Sequence, residues 1–138
     1  MKKLLIGLLF VSLSFAQYSA LDATQGFTFV SGAGAAVTQA TSRTTGVTIN
    51  NVTGQITTNT TSLAAGASAT FIVTDSKCGL HDIPDIAIQS GTNSGRTIVT
   101  VTVVTAGTFS IMVSNLHASV AETGAIIISF IIQKGASS

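Results

Sequence analysis

The residues best able to do chemistry lie in the segment CGLHDIPD, at positions 78–85. Cys78, His81 and Asp82 fall within five residues, and thiolate, imidazole and carboxylate groups are the usual ligands of zinc and copper. A second pair of Cys or His ligands is missing, because the chain has one cysteine and two histidines. The three residues are therefore weak metal candidates. A long turn between strands, stiffened by Pro84 and capped by aspartates, accounts for the segment better.

Other catalytic arrangements have less support. The chain contains no G-x-S-x-G nucleophile elbow. The Gly-rich SGAGAA at 31–36 lacks the lysine and the following helix of a phosphate-binding loop. Paired carboxylates for glycoside hydrolysis would have to come from residues that mostly stand beside Ser, Gly or Pro in expected turns: Asp22, Asp75, Asp82, Asp85 and Glu122. The sequence predicts a protein that is not an enzyme and uses no cofactor.

Composition limits the kind of protein that could carry such a site. The chain has 138 residues, of which 46% are hydrophobic and 8% charged, with a formal net charge of +1. This length suits one domain, and the apolar content is the opposite of that of a disordered chain. Abundant Thr, Val and Ile favour an all-β fold. Because binding to nucleic acid needs several Lys or Arg on phosphates, that function is not expected.

The N-terminal MKKLLIGLLFVSLSFA differs from the remainder of the chain. Two lysines precede an apolar run, and Ser14 and Ala16 have the small-residue spacing of a signal-peptidase site, which predicts cleavage before Gln17. The run is too short to be a comfortable membrane span. The alternative is an apolar arm that is retained and buried against a partner. The expected organisation is thus a signal-like segment at 1–16 and one domain at 17–138.

Most of the domain shows the two-residue period of β-strands rather than a helical period. RTIVTVTVVTAG places Val99, Val101 and Val103 on one face, and GTFSIMVSN at 107–115 alternates in the same way. The intervening Ala-Gly pair is a plausible tight turn, so the two runs are predicted to form an antiparallel hairpin. In ATFIVTD, Phe71 is expected to point inward.

Two further runs complete the pattern. In TTGVTINNVTGQITT, at 44–58, two short strands joined by a turn are predicted, with Val47, Ile49 and Ile56 pointing inward. AIIISFIIQK, at 125–134, is apolar on nearly both faces, which predicts a strand at the centre of the fold or under a neighbouring subunit. About eight strands with closely spaced turns indicate a β-sandwich or jelly roll. The lone Cys78 permits no intramolecular disulfide, and burial is expected.

These motifs also carry a family resemblance. TTGVTINNVTGQITT, the AAG before a strand with F-x-V-T, and the AGTFSI hairpin resemble a small domain of tailed-bacteriophage virion proteins, of the fibre or head-decoration type. The resemblance covers most of residues 36–135. It implies a non-catalytic β-sandwich that assembles with copies of itself, with a trimer as one form, or packs on a capsid or tail. It implies no catalytic residues.

Two features depart from that family. Virion proteins seldom carry a signal such as the one at 1–16, and CGLHDIPD is longer and more polar than the corresponding family turn. Either the N-terminus is an anchoring arm, or the domain belongs to an exported bacterial surface or adhesion protein. The sequence leaves both open, with a virion or a secreted location accordingly. No stable membrane span is expected in the mature chain.

Overall fold

The computed structural model describes residues 34–136. The predicted signal-like segment and the stretch up to residue 33 lie outside the described residues. Within 34–136 there are eight strands and no α-helix, so no helix there is long and apolar enough to cross a bilayer. The strands are β1 (Gly34–Thr38), β2 (Val47–Thr48), β3 (Thr53–Thr57), β4 (Ser68–Thr74), β5 (Ile83–Ser90), β6 (Thr97–Thr105), β7 (Thr108–Asn115) and β8 (Ile127–Gln133). The predicted all-β class is confirmed.

The strands form two four-stranded sheets. The first sheet has the order β1-β3-β8-β5, and the second has the order β2-β4-β7-β6. Successive strands from β1 to β6 alternate between the two sheets, which is a jelly-roll-like winding. The pairs β1–β3 and β2–β4 are parallel, and the remaining pairs are antiparallel. The architecture is the expected β-sandwich, and its core lies between the sheets.

Alternating apolar side chains of both sheets fill that core. The apolar side chains with the least exposure are Phe71, Phe109, Ile56, Ile111, Ile126, Ile128, Val73 and Val113. The rings of Phe109 and Phe130 lie 5.7 Å apart at 56°, so a tilted aromatic pair joins the second sheet to the first. The inward positions predicted in β4 and β7 are confirmed.

The predicted hairpin is confirmed, but one of its inward residues is not. Strands β6 and β7 pair antiparallel around a turn in which Gly107 adopts a φ of 85°. A β-bulge between Val101 and Val103 inserts one residue into β6. Because one extra residue reverses the alternation of faces, Val103 is 54% exposed and Val104 packs against the core instead. The expectation that Val103 shares the face of Val99 was wrong.

The two short strands at 44–58 exist, and Val47, Ile49 and Ile56 are buried as predicted. They do not pair with each other, however. Strand β2 adds to β4 in the second sheet and β3 adds to β8 in the first. The connection at 49–52 therefore crosses from one sheet to the other, and it places Val47 and Ile56 on opposite sides of one core.

Strand β8 lies at the centre of the first sheet, between β3 and β5. The sequence left two positions open for AIIISFIIQK, the centre of the fold or a place under a neighbouring subunit, and the structure shows the first. Its inward side chains are buried: Ile128, Phe130 and Ile132, preceded by Ile126. The outward side chains of Ile127, Ser129 and Ile131 are half-buried, so the second apolar face of this strand is only partly covered.

Candidate functional site

The CGLHDIPD segment is divided between a turn and a strand. Strand β5 begins at Ile83, so Pro84 and Asp85 lie inside that strand and not in the turn where they were expected. Strand β5 is an edge strand, and an edge is where a sheet accommodates proline, which has no N–H to donate. The turn itself covers residues 75–82.

Asp82 fastens this turn to the end of the last strand. Its Oδ2 accepts hydrogen bonds from the Gly79 N–H at 2.7 Å and from Lys134 Nζ at 2.5 Å, and its Oδ1 accepts from the Gly135 N–H at 3.1 Å. The hydrogen bond from Lys134, followed by those from the two backbone N–H groups, lowers the pKa of Asp82 to about 2. The charged Asp82 carboxylate therefore links the turn to the chain after β8. We call these three hydrogen bonds the Asp82 clasp.

The three metal candidates are not brought together as a ligand set. Cys78 is buried at 3% exposure, His81 is exposed, and Asp82 is engaged by Lys134. Over residues 34–136, no three His, Cys, Asp or Glu side chains are arranged to hold a metal ion. The Asp82 carboxylate instead binds Lys134 and the Gly135 N–H at the end of β8.

The clasp predicts a specific dependence of stability on pH. The folded-state pKa of Asp82 lies below its ordinary value of 3.8. The ionised carboxylate therefore stabilises the fold above pH 3.8, and this contribution is lost as the pH falls through about 2. We expect Asp82→Asn to lower the melting temperature at pH 7, with the difference from wild type shrinking toward pH 2. Thermal melts followed by circular dichroism measure this, with the exposed Asp85→Asn as control. A difference independent of pH would contradict the clasp.

The environment of Cys78 predicts an unreactive thiol. Burial raises its pKa, and the nearby carboxylates of Asp82 and Asp75 raise it further. Because the thiolate is the reactive species, we expect an aromatic disulfide reagent to react at least about tenfold more slowly with the folded protein than in urea. Cys78 is the only cysteine, so Cys78→Ala supplies the blank. Equal rates in the two conditions would show that the thiol is accessible.

A buried arginine was not identified by sequence reasoning. Arg43 is 3% exposed, and its guanidinium donates to Thr61 O at 2.5 Å, Thr58 Oγ1 at 3.1 Å, Gly124 O at 2.9 Å and Glu122 O at 3.2 Å. These acceptors are all uncharged. Burial lowers the pKa of Arg43, while the negative charge of Glu122 raises it.

Glu122, considered in the sequence only as one of several turn carboxylates, is fully buried. Its carboxylate accepts hydrogen bonds from Thr97 Oγ1 at 2.6 Å and from the N–H groups of Gly124 at 2.8 Å, Asn93 at 3.1 Å and Ser94 at 3.2 Å. Burial, the largest single effect, raises the pKa of Glu122, but the hydrogen bonds together outweigh it and bring the pKa to about 2. Glu122 thus holds the loop between β5 and β6, residues 91–96, in its conformation.

The hydrogen bonds of Arg43 and Glu122 stabilise the protein's own backbone. The groups that Arg43 and Glu122 bind are backbone and hydroxyl groups, which lie in loops except for Thr97, the first residue of β6. Asn115, also fully buried, donates through Nδ2 to the carbonyls of Leu63, Ala64 and Val120 in the same way. In a chain that is 8% charged, a single arginine inside a Thr-rich stretch was the available signal for this network.

With Arg43, Asp75, Asp82 and Glu122 buried, few charges remain at the surface. In the described part of the chain the exposed charged side chains are Lys77, Asp85, Arg96 and Lys134. Asp85 lies on β5 of the first sheet, and the other three lie in loops or beyond β8. On the outer side of the second sheet, none of the outward-facing residues of β4, β7 and β6 is charged.

We call this outer side the uncharged face. Its residues are Ser68, Thr70, Ile72 and Thr74 of β4; Thr108, Ser110, Met112 and Ser114 of β7; and Ile98, Thr100, Val103 and Thr105 of β6. The strand register aligns Ile72, Ser110 and Val103 in one row across the sheet. Ile72 and Val103 are each 54% exposed, so two large apolar side chains project on either side of a small serine.

The outer side of the first sheet is different. An open depression of about 310 Å³ lies over small residues of β5 and β8, and its lining includes Asp85, Ala87 and Ser129. Beside it, Gln89 Oε1 accepts hydrogen bonds from Gln55 Nε2 at 2.7 Å and Ser129 Oγ at 3.2 Å.

The chain matches no protein family model, and no curated protein or solved structure is significantly similar to it.

Proposed function

We propose that this chain is a non-enzymatic structural protein, a virion decoration or fibre-type subunit that acts through self-association and attachment to a capsid or tail. The observation that carries the proposal is the uncharged face, a sheet surface of hydroxyl and apolar side chains without a charge. Interfaces between proteins are depleted of Lys, Glu and Asp at their centre, because charges are costly to remove from water. The resemblance of residues 36–135 to virion domains supports the same role.

The treatment of charge elsewhere in the domain supports a scaffold rather than a reaction centre. Arg43 and Glu122 are used to hold loops, and Asp82 holds the end of β8. Low surface charge also removes the self-repulsion that keeps many proteins monomeric. A rigid sandwich with little surface charge is suited to close contact with identical neighbours.

A second candidate, an exported bacterial surface or adhesion module, is favoured by the signal-like MKKLLIGLLFVSLSFA. The same uncharged face would then contact neighbours at the cell surface. The two candidates differ in location and in the mature N-terminus.

Intact-mass spectrometry of purified virions and of culture medium from the source distinguishes them. The virion proposal expects the chain in virions at a fixed ratio to the major capsid protein. A Met1 start in those particles would exclude secretion, and a Gln17 start would exclude the retained arm. Absence from virions together with recovery from the medium would overturn the virion role in favour of the exported module.

A further inference from the structure

We infer that the outer side of the first sheet binds a segment of the same chain, residues 27–30, which precede β1. The segment has the sequence FTFV and lies outside the described residues. It is present in both the retained and the cleaved form of the chain, because the predicted cleavage is before Gln17. The inference goes beyond the proposed function and does not depend on it, since the contact is within one chain.

Two adjoining depressions on the outer side of the first sheet form the binding surface. The β1–β3 depression has a volume of about 480 Å³, and the β5–β8 depression has a volume of about 310 Å³. Thr53 and Ser129 line both, so the two depressions form one trough. The strand register places Ala36 of β1, Ser129 of β8 and Ala87 of β5 in one row across the sheet. The trough follows this row and so crosses all four strands.

The walls of the trough favour an apolar occupant. In the β5–β8 depression, Ile131 points outward from β8 and is half-buried, so part of an apolar side chain remains in contact with water. In the β1–β3 depression, Gly34, Ala35 and Gly54 leave the sheet open to close approach. Among the residues that line the two depressions, Asp85 alone is charged. Removing Ile131 and an apolar occupant from water together is favourable.

The segment joins the domain at the rim of this trough. Gly34, the first residue of β1, itself lines the β1–β3 depression. Because β1 is an edge strand, the preceding chain can turn onto the outer side of the sheet without crossing another strand. Ser31-Gly32-Ala33 separates the segment from β1, and glycine tolerates the backbone angles of a chain reversal. The four strands span roughly 14 Å at a spacing of about 4.8 Å, and four extended residues span about 13 Å. The segment is therefore long enough to cross the sheet.

The segment carries one aromatic side chain for each depression. Phe27 and Phe29 are two residues apart, so both point to the same side of an extended chain while Thr28 points to the other. Phe29, which is nearer to β1, fits the β1–β3 depression, and Phe27 fits the β5–β8 depression. Residues 23–33 contain no charge, so the contact takes no charged group of this stretch out of water. Each phenyl side chain buries about 150–250 Å², so the two rings supply most of the binding free energy.

Fluorescence of a single tryptophan tests the contact, because the chain has no Trp of its own. Phe27→Trp and Phe29→Trp are each made in the full chain. Thr28→Trp is the matched control, whose side chain points away from the sheet. We expect the first two variants to emit at shorter wavelength and to be quenched by acrylamide at least about twofold less than the control, because a buried indole is shielded from water.

Blocking substitutions locate the contact on the sheet. Ala87 and Ala36 are exposed residues of the two depressions, and an arginine at either position fills the space with a charged side chain. We expect Ala87→Arg to raise the quenching of Phe27→Trp to the level of the control, and Ala36→Arg to do the same for Phe29→Trp. Ser110→Arg, on the outer side of the second sheet, should leave both tryptophan variants protected. Thermal melts establish that each variant is folded.

Equal quenching of all three tryptophan variants would overturn the inference. Protection that survives both Ala87→Arg and Ala36→Arg would place the segment on another surface and would overturn this one. Protection that is lost on dilution would assign the bound segment to a second copy, which overturns the contact within one chain and supports self-association. None of these results changes the expected presence of the chain in virions, so the two proposals are tested separately.

Discussion

Replacement of Glu122 by glutamine is expected to destabilise the fold by about 3–5 kcal/mol, a large part of the stability of a domain this size. The carboxylate accepts from Thr97 Oγ1 and from the N–H groups of Asn93, Ser94 and Gly124. A glutamine amide offers one oxygen and turns its NH₂ donor toward groups that are themselves donors. Buried N–H groups then lose their acceptors, and the buried Arg43 loses the negative charge near it.

Urea unfolding at pH 7, followed by far-ultraviolet circular dichroism because the chain has no Trp, measures this change. Asp85→Asn is the matched control, since Asp85 is an exposed carboxylate, and its effect is expected within about 0.5 kcal/mol. Equal small effects of both substitutions would show that the hydrogen bonds to Glu122 contribute little.

The same residue predicts acid sensitivity. The pKa of Glu122 is about 2 in the fold against an ordinary 4.5. Its stabilising contribution is therefore complete above pH 4.5 and is lost as the pH falls through about 2. The free energy of unfolding of wild type should decline over this range more steeply than that of Glu122→Gln. Parallel declines would contradict the assignment of the low pKa to Glu122.

Substitution of Gly91 by alanine is expected to cost more than about 3 kcal/mol. Two physical effects add at this position. Gly91 adopts a φ of +91°, where an L side chain is strained, and an added Cβ would lie 2.0 Å from the carbonyl oxygen of Ala125. The backbone before β8 would have to move, and Ile126, fully buried beside it, would move with it.

Gly95→Ala separates these two effects. Gly95 is in the same β5–β6 loop with a φ of +77°, but an added Cβ meets nothing within 4 Å. Only the strain of about 1–2 kcal/mol applies there. Urea unfolding gives the free energy of unfolding of each variant, and the difference between the two values is the cost of the close approach. Equal destabilisation would mean that the approach of the loop to residue 125 is not tight.

Part of the fold could be read from the pattern of side chains. The β6–β7 hairpin and the inward Phe71 were predicted and confirmed, and the central position of β8 is one of the two that the sequence left open. These features depend on a two-residue alternation and on a turn, which are properties of neighbouring residues in the chain.

Other features could not be read in this way. The bulge after Val101 turned Val103 outward and so completed the central row of the uncharged face. The residues next to Val101 give no signal of such an insertion, because a bulge depends on how β6 pairs with β7. The candidate metal residues illustrate the same limit, since Lys134, far away in sequence, determines where Asp82 points.

By itself, the sequence determined an all-β domain, the alternating faces of its regular strands, and a surface poor in charge, because composition and local periodicity suffice for these. The tertiary structure alone decided that β2 and β3 belong to different sheets, that Arg43 and Glu122 are buried together, and that one outer sheet face is free of charge. Each of these depends on contacts between residues distant in the chain, whose free energy is set by packing and desolvation rather than by local preference.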